Sequence, residues 1–132
     1  MKSFTHNHCS KLRYRRVWQG IAWTLVALVV WLSLTPSPPQ LQVWDKAQHF
    51  AAYGGMALWF GSAFRPTLLW PFILMALGVA LEVLQDVGGY RTLEGMDMVA
   101  NALGVVFGFL LAATPAGSWM AWCEARIQRP RR

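Results

Sequence analysis

Three short segments of the chain carry most of the side chains that could bind a polar ligand or transfer a proton. Each segment lies at one end of a long apolar stretch. The segments contain Asp45, Lys46, His49 and Tyr53; Glu82, Gln85 and Asp86; and Arg91, Glu94, Asp97 and Asn101. Groups that carry charge or accept protons are therefore concentrated in three places of an otherwise apolar chain.

Within each segment the polar residues recur at intervals of three or four positions, the spacing of one helix face. Asp45 and His49 are four residues apart, and so are Asp97 and Asn101. Four residues of helix rise about 6 Å. We therefore expect each segment to present its polar side chains on one side of a helix.

The residue types indicate which chemistry this set could perform. Lys46 and Arg91 could hold a phosphate or a carboxylate, and His49 could act as a general acid or base near neutral pH. The candidates for catalysis are His49, Glu82 and Asp97. Carboxylates and imidazole also suit a divalent metal, but no close ligand spacing such as His-Glu-x-x-His occurs. We predict a polar ligand site with no metal and no other cofactor.

The elements that must position these residues are long apolar stretches. Only 18 of the 132 residues are charged, a 14% share, against about a quarter in soluble domains. A membrane-spanning helix needs about 20 mostly apolar residues, with a range of about 17–25. Four stretches qualify, at about 17–34, 47–64, 67–85 and 97–113. The predicted fold class is all-α, an integral membrane four-helix bundle; a soluble bundle would need polar helix faces.

The depth of the polar residues predicts that they meet. Glu82 follows Leu68 by fourteen residues, which is about 21 Å into a hydrocarbon core about 30 Å thick. An intramembrane charge is costly, so such residues face the bundle interior and find partners. We therefore expect the three segments to converge in a polar pocket at one membrane face. A network that only holds the helices together is the structural alternative.

The basic residues predict the orientation of the bundle. Ten of the twelve lie at the chain ends or at Arg65, whereas only Lys46 and Arg91 fall in the two loops on the other side. The positive-inside rule then places both termini in the cytoplasm and the polar segments outside. The predicted divisions are a basic segment at 1–16, a four-helix domain at 17–115 and a basic cytoplasmic tail at 116–132. Membrane lipids are the expected partners of the basic ends, and nucleic acid is not.

The small residues predict where helices approach closely. Gly104 and Gly108 form a small-xxx-small pattern, and the second stretch contains Gly54, Gly55 and Gly61. Such faces allow backbones of membrane helices to come together. We expect them to pack inside the bundle rather than to form a dimer.

The three polar segments together resemble the pattern of the VanZ-like family of small bacterial membrane proteins. The resemblance covers about residues 33–108 and includes the Pro-rich turn after the first stretch. It implies a multi-pass protein of the bacterial plasma membrane, in a family named after a member linked to low-level teicoplanin resistance. The residues that it singles out are Asp45, Lys46, His49, Tyr53, Glu82, Gln85, Arg91, Asp97 and Asn101.

The segments and the resemblance leave three functional hypotheses. The first is an envelope protein that binds a lipid-linked cell-wall precursor, a lipoglycopeptide or another amphiphile at the outer leaflet and contributes to glycopeptide resistance. The second is a membrane-embedded enzyme acting on a phospholipid or polyprenyl phosphate headgroup. The third is a structural partner in an envelope complex.

Overall fold

Helices account for nearly all of the chain that can be described. The computed structural model describes residues 12–36, 45–64, 67–89 and 94–128. Within these ranges the elements are α1 (Arg15–Leu34), α2 (Asp45–Ala63), α3 (Leu69–Val87), α4 (Gly95–Ala112), a 3₁₀ turn (Pro115–Ser118) and α5 (Trp119–Ile127). The prediction of an all-α fold is confirmed, and the first four helices begin and end within two residues of the predicted limits.

Three of the described helices, α1, α3 and α4, are long and apolar enough to cross a membrane. Helix α2 does not meet that criterion, and its first turns carry Asp45, Lys46 and His49. The exposed surface is itself apolar. On α4 the exposed side chains include Met96, Val99, Leu103, Val106, Phe107 and Leu110. Because soluble proteins avoid apolar surfaces of this extent, the chain is a membrane protein.

The closest helix contact joins α2 to α4, which run parallel. A methyl group added at Gly54 would lie 3.2 Å from the Gly104 carbonyl oxygen, and one added at Gly108 would overlap the Gly54 carbonyl oxygen. Backbone therefore packs directly on backbone. Gly54, Gly61, Gly104 and Gly108 pack inside the bundle, as predicted. The prediction is wrong for Gly55, which is exposed and where an added methyl group would meet no atom within 4 Å.

Side chains at the two ends of the bundle show that α1 and α3 run opposite to α2 and α4. At one end, which we call the polar end, the Gln85 amide donates a 2.7 Å hydrogen bond to the Ser33 carbonyl oxygen. The first turns of α2 and α4 lie there too. At the other end, the aromatic end, the Trp59 indole donates to the Trp18 carbonyl oxygen over 3.0 Å. Further rings pack around that contact: Trp23, Phe60, Phe64, Trp70 and Trp119.

The segment 116–132, predicted to be a basic tail, contains a further helix. It forms the 3₁₀ turn and α5, and α5 packs back on the start of α1 through Glu124. One oxygen of the Glu124 carboxylate accepts the Arg13 backbone N–H at 2.8 Å. The other accepts the Tyr14 backbone N–H at 3.0 Å and the Trp18 indole N–H at 2.8 Å. A helix start lacks intrahelical acceptors for its N–H groups and favours a negative charge, so Glu124 satisfies both needs.

Substituting Gly108 by Ala should destabilise the α2–α4 contact by about 1–3 kcal/mol, because overpacked helices must separate. The matched control is Gly55→Ala, since a methyl group at Gly55 meets no atom within 4 Å. Reversible unfolding of both variants in mixed micelles, followed by circular dichroism, measures the difference. Equal stability of the two variants would contradict the close contact.

Substituting Glu124 by Gln should destabilise α5 in a pH-dependent way. Burial alone raises the pKa of Glu124, but the backbone N–H groups of Tyr14 and Arg13 and the Trp18 indole lower it overall. A lowered pKa means that ionised Glu124 stabilises the fold above the ordinary glutamate pKa, about 4.3, and that this is lost as pH falls through the lowered value. Melting temperatures measured from pH 3 to pH 8 should differ between wild type and variant at neutral pH and converge in acid. Parallel curves would refute the role of the charge.

Candidate functional site

The site begins with the parallel packing of α2 and α4, which places the first turns of both helices side by side at the polar end. Asp97 lies in the first turn of α4 and is fully buried. Lys46, in the first turn of α2, extends its ammonium group to α4, 3.5 Å from Oδ1 of Asp97 and 3.1 Å from Oε2 of Glu94. The Lys46 side chain is 31% exposed and the Glu94 side chain 49%, so this ion pair forms the accessible part of the site.

The ring of His49 lies one helical turn further into the bundle. Its Nδ1 is 3.1 Å from Oδ1 of Asn101, and its Nε2 is 3.8 Å from Oδ2 of Asp97. An amide oxygen only accepts, so Nδ1 carries the proton that it donates to Asn101. The nitrogen that remains, Nε2, faces the buried carboxylate of Asp97.

Helix α3 adds Glu82 to the same group of residues. The side chain is 3% exposed, and its carboxylate accepts the backbone N–H of Glu94 at the start of α4. It interacts electrostatically with His49 and Asp97. The prediction that polar residues of three helices converge therefore holds for α2, α3 and α4.

The other residues singled out from the sequence take different positions. Tyr53 is buried beside the site, where a methyl group added at Gly78 would contact both its ring and the Asn101 amide. Gln85 instead ties α3 to α1 through the Ser33 carbonyl oxygen. Arg91 lies outside the described residues, so its predicted role stays a prediction.

Two contributors were not among the predicted site residues. Glu94 pairs with Lys46 and donates its backbone N–H to Glu82. In the sequence, its spacing of three residues from Asp97 could have indicated that Glu94 belongs to the site. Gly78 leaves room for Tyr53 and Asn101, and no local pattern could have indicated that role because it depends on which helix packs opposite.

The comparisons with known proteins found no match: no family model, no curated protein and no solved structure matches the chain.

Substituting Asp97 by Asn should destabilise the protein by about 1–3 kcal/mol, because an N–H₂ group would replace a carboxylate oxygen among buried partners. Glu94→Gln is the control at the exposed end of the same ion pair, where a weak effect is expected. Unfolding of both variants in mixed micelles gives the comparison. An Asp97→Asn protein as stable as wild type would show that the buried carboxylate is not required for packing.

Proposed function

We propose that the chain is a VanZ-like protein of the bacterial plasma membrane that binds the headgroup of an amphiphile at its polar end. In this proposal α2 is a fourth membrane-spanning helix, both termini are cytoplasmic and the polar end lies at the outer leaflet. The expected ligand is a lipid-linked cell-wall precursor or another anionic amphiphile, which would connect the protein to glycopeptide (teicoplanin) resistance.

A surface that is charged at one end and apolar along its length supports this proposal. Lys46 and Phe50 are four residues apart on α2 and share a face of that helix. The Phe50 ring packs 5.7 Å from the ring of Phe107, measured between centroids, and both side chains are partly exposed. An amphiphile could place its headgroup on Lys46 and its chain along Phe50 and Phe107.

The pairing of Lys46 favours exchange with a ligand. Its 3.1 Å contact is to Glu94, which is about half exposed, and exposed ion pairs contribute little net stability. A phosphate or carboxylate could therefore replace Glu94 at the ammonium group at small cost. Asp97 would keep Lys46 in place during that exchange, since it contacts the same nitrogen from the buried side.

The test is binding of a polyprenyl phosphate to the purified chain in nanodiscs, measured by native mass spectrometry. Lys46→Gln should weaken binding by about tenfold, the scale of one charge-assisted contact. Arg126→Gln removes a positive charge from the aromatic end and should bind as wild type does. The uncharged polyprenol should bind weakly to every form.

The outcomes separate this proposal from its alternatives. Equal binding of the phosphate by wild type and Lys46→Gln would refute headgroup recognition by Lys46.

The hydrogen bond from His49 to Asn101 favours a second function, that of a membrane-embedded enzyme, because it orients the ring as an acid–base group requires. Release of inorganic phosphate during the assay, lost in His49→Ala, would indicate that enzyme. In a teicoplanin-sensitive host, expression of the wild type but not of Lys46→Gln should raise resistance.

A further inference from the structure

Three side chains at the polar end have the arrangement of ligands around a metal ion. Asp45, His49 and Asp97 each offer one ligand atom, and these atoms lie within 4.8 Å of one another. Asp45 and His49 come from successive turns of α2, and Asp97 comes from α4. The set combines an imidazole nitrogen with two carboxylates, a combination that suits first-row transition metals.

The orientation of His49 is the second observation that indicates a cation. Because Nδ1 donates its proton to Asn101, the lone pair of Nε2 faces Oδ2 of Asp97 in the neutral ring. Two acceptors then face each other, and a positive species between them would bind to both. Metal-bound histidines are held in this way, with the other ring nitrogen donating to a protein oxygen.

The distance between those two atoms favours a metal ion over a shared proton. The separation of 3.8 Å is longer than the approximate 2.7–3.2 Å of an N–H···O hydrogen bond. Two metal–ligand bonds of about 2.0–2.2 Å span 3.8 Å when they meet at a wide angle. The third ligand atom, from the half-buried Asp45 at the start of α2, lies within 4.8 Å of the other two.

The local charge also favours a cation. Among the described residues, the polar end holds the carboxylates of Asp45, Glu82, Asp86, Glu94 and Asp97 but one ammonium group, that of Lys46, which contacts Glu94 and Asp97. Lys46 contacts Oδ1 of Asp97, whereas His49 faces Oδ2, so the ammonium group and the imidazole lie at different oxygens of the same carboxylate.

We infer that Asp45, His49 and Asp97 bind one divalent transition-metal ion of the zinc class, on a site that joins α2 to α4. Three protein ligands leave a fourth coordination position open for water or an anionic group. The inference goes beyond the proposed function and stands without it, because metal binding can be measured with no lipid ligand present. It differs from the prediction from the sequence that no metal binds, and zinc binding decides between the two.

The test is zinc binding to the full-length chain in detergent micelles, measured by equilibrium dialysis and elemental analysis. All forms should carry His6→Gln, His8→Gln and Cys9→Ser and no histidine tag, because those terminal side chains could bind zinc themselves. We expect one zinc ion per chain and a higher melting temperature with zinc. Cobalt substituted for zinc should give visible absorption bands of a site with nitrogen and oxygen ligands.

Variants of the ligands decide the outcome. Asp45→Asn should weaken zinc binding at least about tenfold without loss of the fold, since Asn also suits a helix start. His49→Gln should do the same and should abolish the cobalt spectrum. Asp86→Asn, which removes an exposed carboxylate from the last turn of α3, is the matched control and should bind zinc as the parent does. Absence of saturable zinc binding, or wild-type affinity in both ligand variants, would overturn the inference and leave a proton as the species between His49 and Asp97.

Discussion

The close approach of α2 and α4 is the constraint on which the rest of the structure depends. Gly54, Gly104 and Gly108 have no side chains to hold the helices apart, so backbone meets backbone along the bundle. The two helices run parallel, and their first turns are therefore neighbours. Lys46 and His49 reach Asp97 and Asn101 only because of that approach. A site made of short and medium-length side chains would not close between helices at ordinary separation.

Both ends of the bundle bury a carboxylate, and both compensate it with groups from another helix. At the aromatic end, Glu124 of α5 accepts three N–H groups at the start of α1. At the polar end, Asp97 faces an ammonium group and an imidazole from α2. The difference is functional as well as structural. Backbone N–H groups belong to the fold and cannot be exchanged, whereas Lys46 is partly exposed and can change partners. Glu124 is therefore a structural contact, and the polar end is where we propose that a ligand binds.

Local features of the sequence predicted the helices well because a helix is made from hydrogen bonds between residues close in the chain. The uncharged stretch from Val17 to Leu34 was sufficient to predict the extent of α1. The four-residue spacing of Asp45 and His49 was sufficient to predict the polar face of α2. Helix α5 was missed because it has only nine residues and these are of mixed polarity. Its stability depends on Glu124 reaching α1, a partner 106–111 positions away in the chain.

The sequence by itself determined which residues are helical, which of them are polar and that the polar residues of α2, α3 and α4 lie at the same end. These properties follow from periodicity, length and the cost of an intramembrane charge, all of which act locally. Only the tertiary structure decided the pairings: Gln85 with Ser33 rather than with the ionic residues, Glu94 with Lys46, and the His49 ring between Asn101 and Asp97. The physical reason is that such pairings depend on the rotation and depth of one helix against another. Those are set by backbone contacts of Gly54 on α2 with Gly104 and Gly108 on α4. The pattern of small residues indicated that helices approach closely there, but not which helix packs against which.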